Sequence, residues 1–292
     1  MLDELERIRE NIFRYAWVAL WDLDSDKWHR IGGEIDAYKR HSSQALAIDY
    51  FGTLMFSEEK ASILNSLAAR LGLPSSKDWE VELEWGDGDN LLHETRKKTQ
   101  VDAVACSSEA IIFFECKFKE SAGGSCSQTK YQCDGNYRMQ INPENGVQSR
   151  CALSGKGIRY WDVIPDLFKL ESIAEYEPCP FSGSNYQWMR NLVVCTQVAK
   201  KKGLAPHFLI VYANAPGLPI ADKIRSDNLC EFRAFLKDDG PLFSCMSYQE
   251  LLNLSIESVT VERPKFLELN RWIRDKISNQ IRFVQGVAKN FL

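Results

Sequence analysis

Asp102, Glu115 and Lys117 are the residues whose types and spacing point most directly to chemistry. Glu115 and Lys117 stand two apart in an apolar run, so on an extended chain they share one face, with Cys116 turned to the other. Asp102 precedes Glu115 by a twelve-residue gap and sits on the strand before it, so a favourable hairpin register sets it beside the polar end of the second strand. Two carboxylates converging there form a hard oxygen site suited to Mg²⁺ or Mn²⁺. A neighbouring lysine can orient a water and steady charge growing on a phosphate. Together they are equipment for hydrolysing a phosphodiester without a covalent intermediate.

The elements that must position these groups follow from periodicity. Helical spacing is expected over about residues 2–20, 42–56 and 58–72, the second capped by Ser42 or Ser43 and the third ended by Gly72 and Pro74. The period then changes: Trp79 to Trp85 alternates strictly and reads as a strand. Thr99 to Cys106 and Ala110 to Phe118 follow as two more strands, joined by the short turn Ser107-Ser108-Glu109 into an antiparallel hairpin. AIIFFECKF is almost wholly apolar before its polar end, as expected of a strand covered on both faces. A long Gly-, Ser- and Cys-rich stretch occupies about residues 119–183, with helices expected near 127–140 and 160–170. A helix at about 184–201 then leads to the apolar strand His207 to Tyr212, a crossover back into the sheet. The chain ends in a helix at about 264–284. These elements predict one α/β domain over residues 1–292, a mixed sheet flanked by helices with N-terminal helices and a Cys-rich insertion at about 119–183.

Composition narrows the function classes. The chain has 45% hydrophobic and 26% charged residues, ordinary for a globular protein. Its formal net charge of −4 argues against a general nucleic-acid coat, which draws affinity from many phosphate contacts. No apolar run approaches the roughly 20 residues of a membrane span, so no membrane partner is expected. The acidic start Met1-Leu2-Asp3-Glu4 is unlike a secretory signal, and nine cysteines, an odd number, read as reduced thiols or metal ligands. The expected location is the cytoplasm.

Asp102, the gap and Glu115-x-Lys117 across a β-hairpin resemble the PD-(D/E)XK nuclease superfamily, whose core is that of restriction endonucleases. The block from Ser42-Ser43-Gln44-Ala45 to Phe51-Gly52-x-Leu54 is also similar to a segment of a bacterial group of restriction-endonuclease-like proteins. The likeness spans about residues 40 to 215, with Val101 where the superfamily's proline would stand. The resemblance implies a restriction endonuclease-like fold, metal ligation by Asp102 and Glu115, and assistance to the nucleophile by Lys117. It also implies a further carboxylate from an early helix or the first strand, for which Asp49 and Glu84 or Glu82 are the candidates. Some nucleases of the superfamily hold an iron–sulfur cluster.

A partner surface lies near these residues. From Lys117 to Tyr160 seven basic residues face three acidic ones, a local excess of +4. Gln128, Lys130, Tyr131 and Arg138 interleave at near-helical spacing and suit phosphate contacts and base stacking, although a solvated polar helix face fits them equally. Cys126, Cys133, Cys151 and Cys179 fall inside the insertion and could bind Zn²⁺ or an iron–sulfur cluster. The chain has no CxxC pair, which leaves buried reduced thiols as the other reading. The four histidines read as surface or strand-end residues.

The expected activity is a Mg²⁺- or Mn²⁺-dependent endonuclease on DNA. The alternatives are a nuclease on RNA or single strands, and an inactive nuclease fold that binds nucleic acid or acts as a scaffold. Paired cuts on duplex DNA would need two sites, hence a homodimer.

Overall fold

The computed structural model describes residues 2–95, 98–120, 123–126, 128, 151–169, 179–225, 232–237 and 242–289. Apart from Gln128, the helix expected at 127–140 lies outside them, as do Lys130, Tyr131, Cys133 and Arg138.

The N-terminal periodicity resolves into α1 (Leu2–Arg9) and a 3-10 helix, Arg14–Asp22, in place of one continuous helix. Tertiary bonds make the break: the Asn11 amide donates to the carbonyls of Ala37 and Lys39, and the Phe13 N–H goes to Asp49 Oδ1 at 2.6 Å. α2 covers residues 43–55, with Ser42 capping it through the Ala45 N–H and a π-helical stretch, Ile48–Gly52, in its middle. α3 (Lys60–Leu71) ends at Gly72, whose φ of 72° is the left-handed turn that glycine adopts without penalty.

Five strands make the main sheet. β1 (Glu80–Gly86), β2 (Gln100–Cys106) and β3 (Ala110–Lys117) form an antiparallel meander. α4 (Tyr186–Lys202) carries the chain back to β4 (Ala205–Tyr212), parallel to β3, with Lys117 opposite Tyr212. α5 (Pro219–Arg225) precedes β5 (Phe243–Ser247), parallel to β4, so the spatial order is the chain order. α6 (Tyr248–Ser258) starts on a capping box, with the Ser247 and Glu250 side chains closing each other's backbone. α7 (Arg263–Lys289) ends the described chain. Near residue 160 the chain forms two short turns, Tyr160–Asp162 and Ile164–Leu167.

Every residue of β3 is buried, because both faces of the sheet are covered. Ile112, Phe114 and Cys116 pack into the apolar layer shared with α2, α3, α6 and α7. Ile111 and Phe113 pack into the second layer, shared with α4 and with the turns near residue 160. Glu115 and Lys117 lie at the C-terminal end of β3, still within this double cover. No helix among the described residues is long and apolar enough to cross a membrane.

Candidate active site

Glu115 and Lys117 lie on the face of β3 that meets α4, as strand alternation requires. Lys117 Nζ is 2.6 Å from Glu115 Oε1, and both are almost wholly buried. Two residues one turn apart on α4 complete their bonding. Gln187 donates to Glu115 Oε1 at 2.7 Å and accepts from Lys117 Nζ at 3.0 Å, and Asn191 donates to Glu115 Oε2 at 2.7 Å. The sequence points instead to Gln128, Lys130, Tyr131 and Arg138 on the helix expected at 127–140 and does not single out this pair. The i, i+4 spacing of Gln187 and Asn191, just before the apolar run Leu192-Val193-Val194-Cys195, is the signal the sequence offers.

Asp102 joins the site through a break in the sheet. The β2–β3 ladder stops at the Ala103–Phe114 pair. Beyond it, Asp102 Oδ2 takes the Cys116 N–H at 2.6 Å, so a side chain acts where a strand carbonyl would accept. β2 changes faces at this point: Ala103 and Ala105 pack in the layer with α2, whereas Val101 packs in the layer with α4.

β1 makes a matching swap. Leu83 pairs with Ala103 and Trp85 with Val101, which sets Glu84 opposite Asp102. Glu84 has a φ of 49°, a left-handed backbone that a side-chain-bearing residue adopts only under tertiary constraint. The twist turns Trp85 onto Phe113 and brings Glu84 toward α2, where Gln44 donates to its Oε1 at 2.6 Å. Strict alternation would have left Glu84 beside the exposed Glu80 and Glu82. Glu82 stays outside and pairs with Lys27 at 3.5 Å.

Glu84, Asp102 and His29 each offer a ligand atom within 4.8 Å of the others. His29 sits at the surface beside a strand end, as the sequence suggests, with its side chain 42% exposed, and its Nε2 stands 3.4 Å from Glu84 Oε2. Glu84 is 1% exposed, and its Oε2 makes no hydrogen bond. Burial first, then the charges of Glu115 and Glu84, push the Asp102 carboxyl well above the ordinary carboxylate range. Burial works to lower the Lys117 ammonium, but Glu115, Glu120 and Asp102 reverse it and the net shift is upward. Close-set buried carboxylates with an unsatisfied oxygen fit a divalent cation, which would balance the charge and fill the open valence.

Other candidates are placed elsewhere. Asp49 is not part of this group: its two oxygens are held by the Phe13 N–H and by Lys276 Nζ at 2.5 Å. Cys116 is buried in the opposite layer, and burial pushes its thiol up, so it is no nucleophile. Gln128 accepts from Lys156 Nζ at 2.5 Å and borders a cavity that Cys126, Cys151 and Cys179 also line.

A mixed sheet in this order, with carboxylates and a lysine at the open end of its central hairpin, defines a restriction endonuclease-like fold. Residues 9–270 match the sequence model of a family described as restriction endonuclease associating with ARP, and the chain belongs to that family. No curated protein and no solved structure matches it.

Proposed function

We propose that this chain is a divalent-metal-dependent endonuclease of the PD-(D/E)XK type that cleaves DNA. The observation that carries the reading is the grouping of Asp102 with Glu84 and His29, beside a Glu115–Lys117 pair whose carboxylate is near enough to raise the Asp102 carboxyl. The family's description as a restriction endonuclease supports DNA as the substrate.

Asp102 and Glu115 would hold Mg²⁺ or Mn²⁺, with Glu84 and His29 as added donors on the α2 side. The ion would polarise the scissile phosphate and make a water nucleophilic at neutral pH. Lys117 would act as a charged hydrogen-bond donor, not as a base, because the neighbouring carboxylates hold its proton in place. Two of its three protons go to Glu115 and Gln187, which leaves the third for a water or a phosphate oxygen. Gln187 and Asn191 hold Glu115 in one orientation, so the lysine and the carboxylate move as a unit.

The test is an incubation of pure protein with supercoiled, linear and single-stranded DNA and with RNA, in Mg²⁺, Mn²⁺ or EDTA. DNA cutting that needs the ion and falls about 100-fold or more in Lys117→Ala and Asp102→Asn is the expected result. Cutting of RNA alone would keep the site and change the substrate. Natively folded protein that cuts nothing with either ion would remove the hydrolytic reading.

A further inference from the structure

Gln44 ties His29 and Glu84 to each other. Its side-chain oxygen accepts the His29 N–H at 3.0 Å, and its amide donates to Glu84 Oε1 at 2.6 Å and to the Lys27 carbonyl at 2.9 Å. Gln44 is almost wholly buried on α2, so both residues are held against one fixed group. The His29 carbonyl in turn accepts the Asp36 N–H at 2.7 Å, which anchors the loop from its other side. His29 thus carries a part-exposed ring on a backbone bonded at both its N–H and its carbonyl.

The valences around that ring are unevenly filled. Glu115 spends its oxygens on Lys117, Gln187 and Asn191, and Asp102 Oδ2 takes the Cys116 N–H. Glu84 Oε1 is taken by Gln44, but the buried Oε2 makes no hydrogen bond and faces His29 Nε2 at 3.4 Å. In octahedral coordination with bonds of about 2.1 Å, adjacent ligand atoms stand about 3 Å apart and opposite ones about 4.2 Å. His29, Glu84 and Asp102 offer atoms within 4.8 Å of one another, so a slight closure puts all three on one ion.

We propose that the His29 imidazole makes this site select a first-row transition ion such as Mn²⁺ over Mg²⁺, with Gln44 setting the distance of the ring from Glu84. The inference rests on the metal-dependent reading above and decides which ion that site takes. Mg²⁺ demands oxygen donors and gives up its waters reluctantly, so an imidazole adds little to its binding. Transition ions accept imidazole readily, with affinity climbing from Mn²⁺ to Fe²⁺ and beyond. The part-exposed ring also leaves the ion a path in from solvent, which a site closed by buried carboxylates alone would lack. Gln44 is a positioning residue: it touches no ion but fixes two ligands, as outer-shell partners do in metal sites.

The experiment titrates the full chain with Mn²⁺ and with Mg²⁺ by calorimetry and records pulsed EPR spectra of the Mn²⁺-loaded protein. Wild type should bind Mn²⁺ about tenfold or more tighter than Mg²⁺ and show coupling of the ion to an imidazole nitrogen. His29→Ala should lose the nitrogen signal and most of the preference for Mn²⁺, with its Mg²⁺ affinity little changed. Gln44→Ala should lose about tenfold in Mn²⁺ affinity and shift the nitrogen coupling, a change that a purely structural role would not make. Should a variant fail to fold, the wild-type spectrum still decides. Mn²⁺ bound without nitrogen coupling, or equal affinity for the two ions, would overturn the role of His29 and leave the carboxylate site in place. Folded wild type that binds neither ion would remove both readings.

Discussion

Lys276 Nζ lies 2.5 Å from Asp49 Oδ2 in the protein interior, and this pair joins α7 to the π-helical stretch of α2. Burial drives both groups toward neutrality, raising the Asp49 carboxyl and lowering the Lys276 ammonium, while each partner opposes the shift of the other. Removing one charge leaves the other buried and uncompensated. Lys276→Met should therefore lose about 3–5 kcal/mol in urea unfolding, and the double variant Asp49→Asn/Lys276→Met should recover much of it. Divalent-ion affinity of the double variant should stay at the wild-type level, because Asp49 is committed to the helix layer. A collapse of that affinity in folded double variant would return Asp49 to the ligand set.

Glu84 combines a left-handed backbone with a carboxylate that has an open valence. The two properties separate by substitution. Relative to Glu84→Ala, Glu84→Gly should be about 1 kcal/mol more stable, because glycine accepts this conformation without a Cβ clash. Both variants should lose Mn²⁺ affinity by about tenfold or more, at least as much as loss of an outer-shell partner does. Calorimetric titration with Mn²⁺ reads the second effect and thermal unfolding the first. Wild-type affinity in either variant would remove Glu84 from the site.

The hairpin carrying Asp102, Glu115 and Lys117 was legible because strand periodicity is local. Eight alternating or apolar residues define β3 without knowledge of the rest of the chain. The boundaries of α3 and α4 were legible for the same reason, each ending in a left-handed glycine, Gly72 and Gly203. What escaped depends on contacts between distant segments. His29 and Gln44 approach Glu84 only because the β1 backbone inverts there, and no pattern in Trp79 to Trp85 announces the inversion. β5 escaped because Phe243-Ser-Cys-Met-Ser has too little apolar character to stand out. The break after α1 escaped because Asn11 and Phe13 are bound by residues 37, 39 and 49.

Gln187 is a positioning residue, since it bonds both Glu115 and Lys117. Gln187→Ala frees the lysine to swing and leaves one Glu115 oxygen less restrained. Cleavage by this variant should fall about 10- to 100-fold, mainly in kcat, with KM for DNA little changed. Gln187→Glu should be worse, because it sets a second carboxylate beside Glu115. Single-turnover rates at saturating DNA separate these effects from binding. A variant that loses DNA affinity while keeping its single-turnover rate would show Gln187 to be a substrate contact.

Asp102 gives the site a dependence on pH whose sign differs with and without metal. Burial, then Glu115 and Glu84, raise its carboxyl in the fold. A raised acid contributes stability that is fully present below the ordinary carboxylate value of about 3.9 and is lost as pH rises through the folded value. In EDTA, the stability deficit of wild type relative to Asp102→Asn should therefore grow as pH increases, until Asp102 is ionised. A divalent ion replaces the proton, so its affinity should rise over the same interval with protons released on binding. Thermal unfolding of the two proteins across pH measures the first trend, and Mn²⁺ titration in buffers of different ionisation enthalpy measures the second. A wild-type deficit that shrinks with pH in EDTA would mean that the Asp102 carboxylate is already balanced by a positive group of the protein, and the site would have no need of a cation.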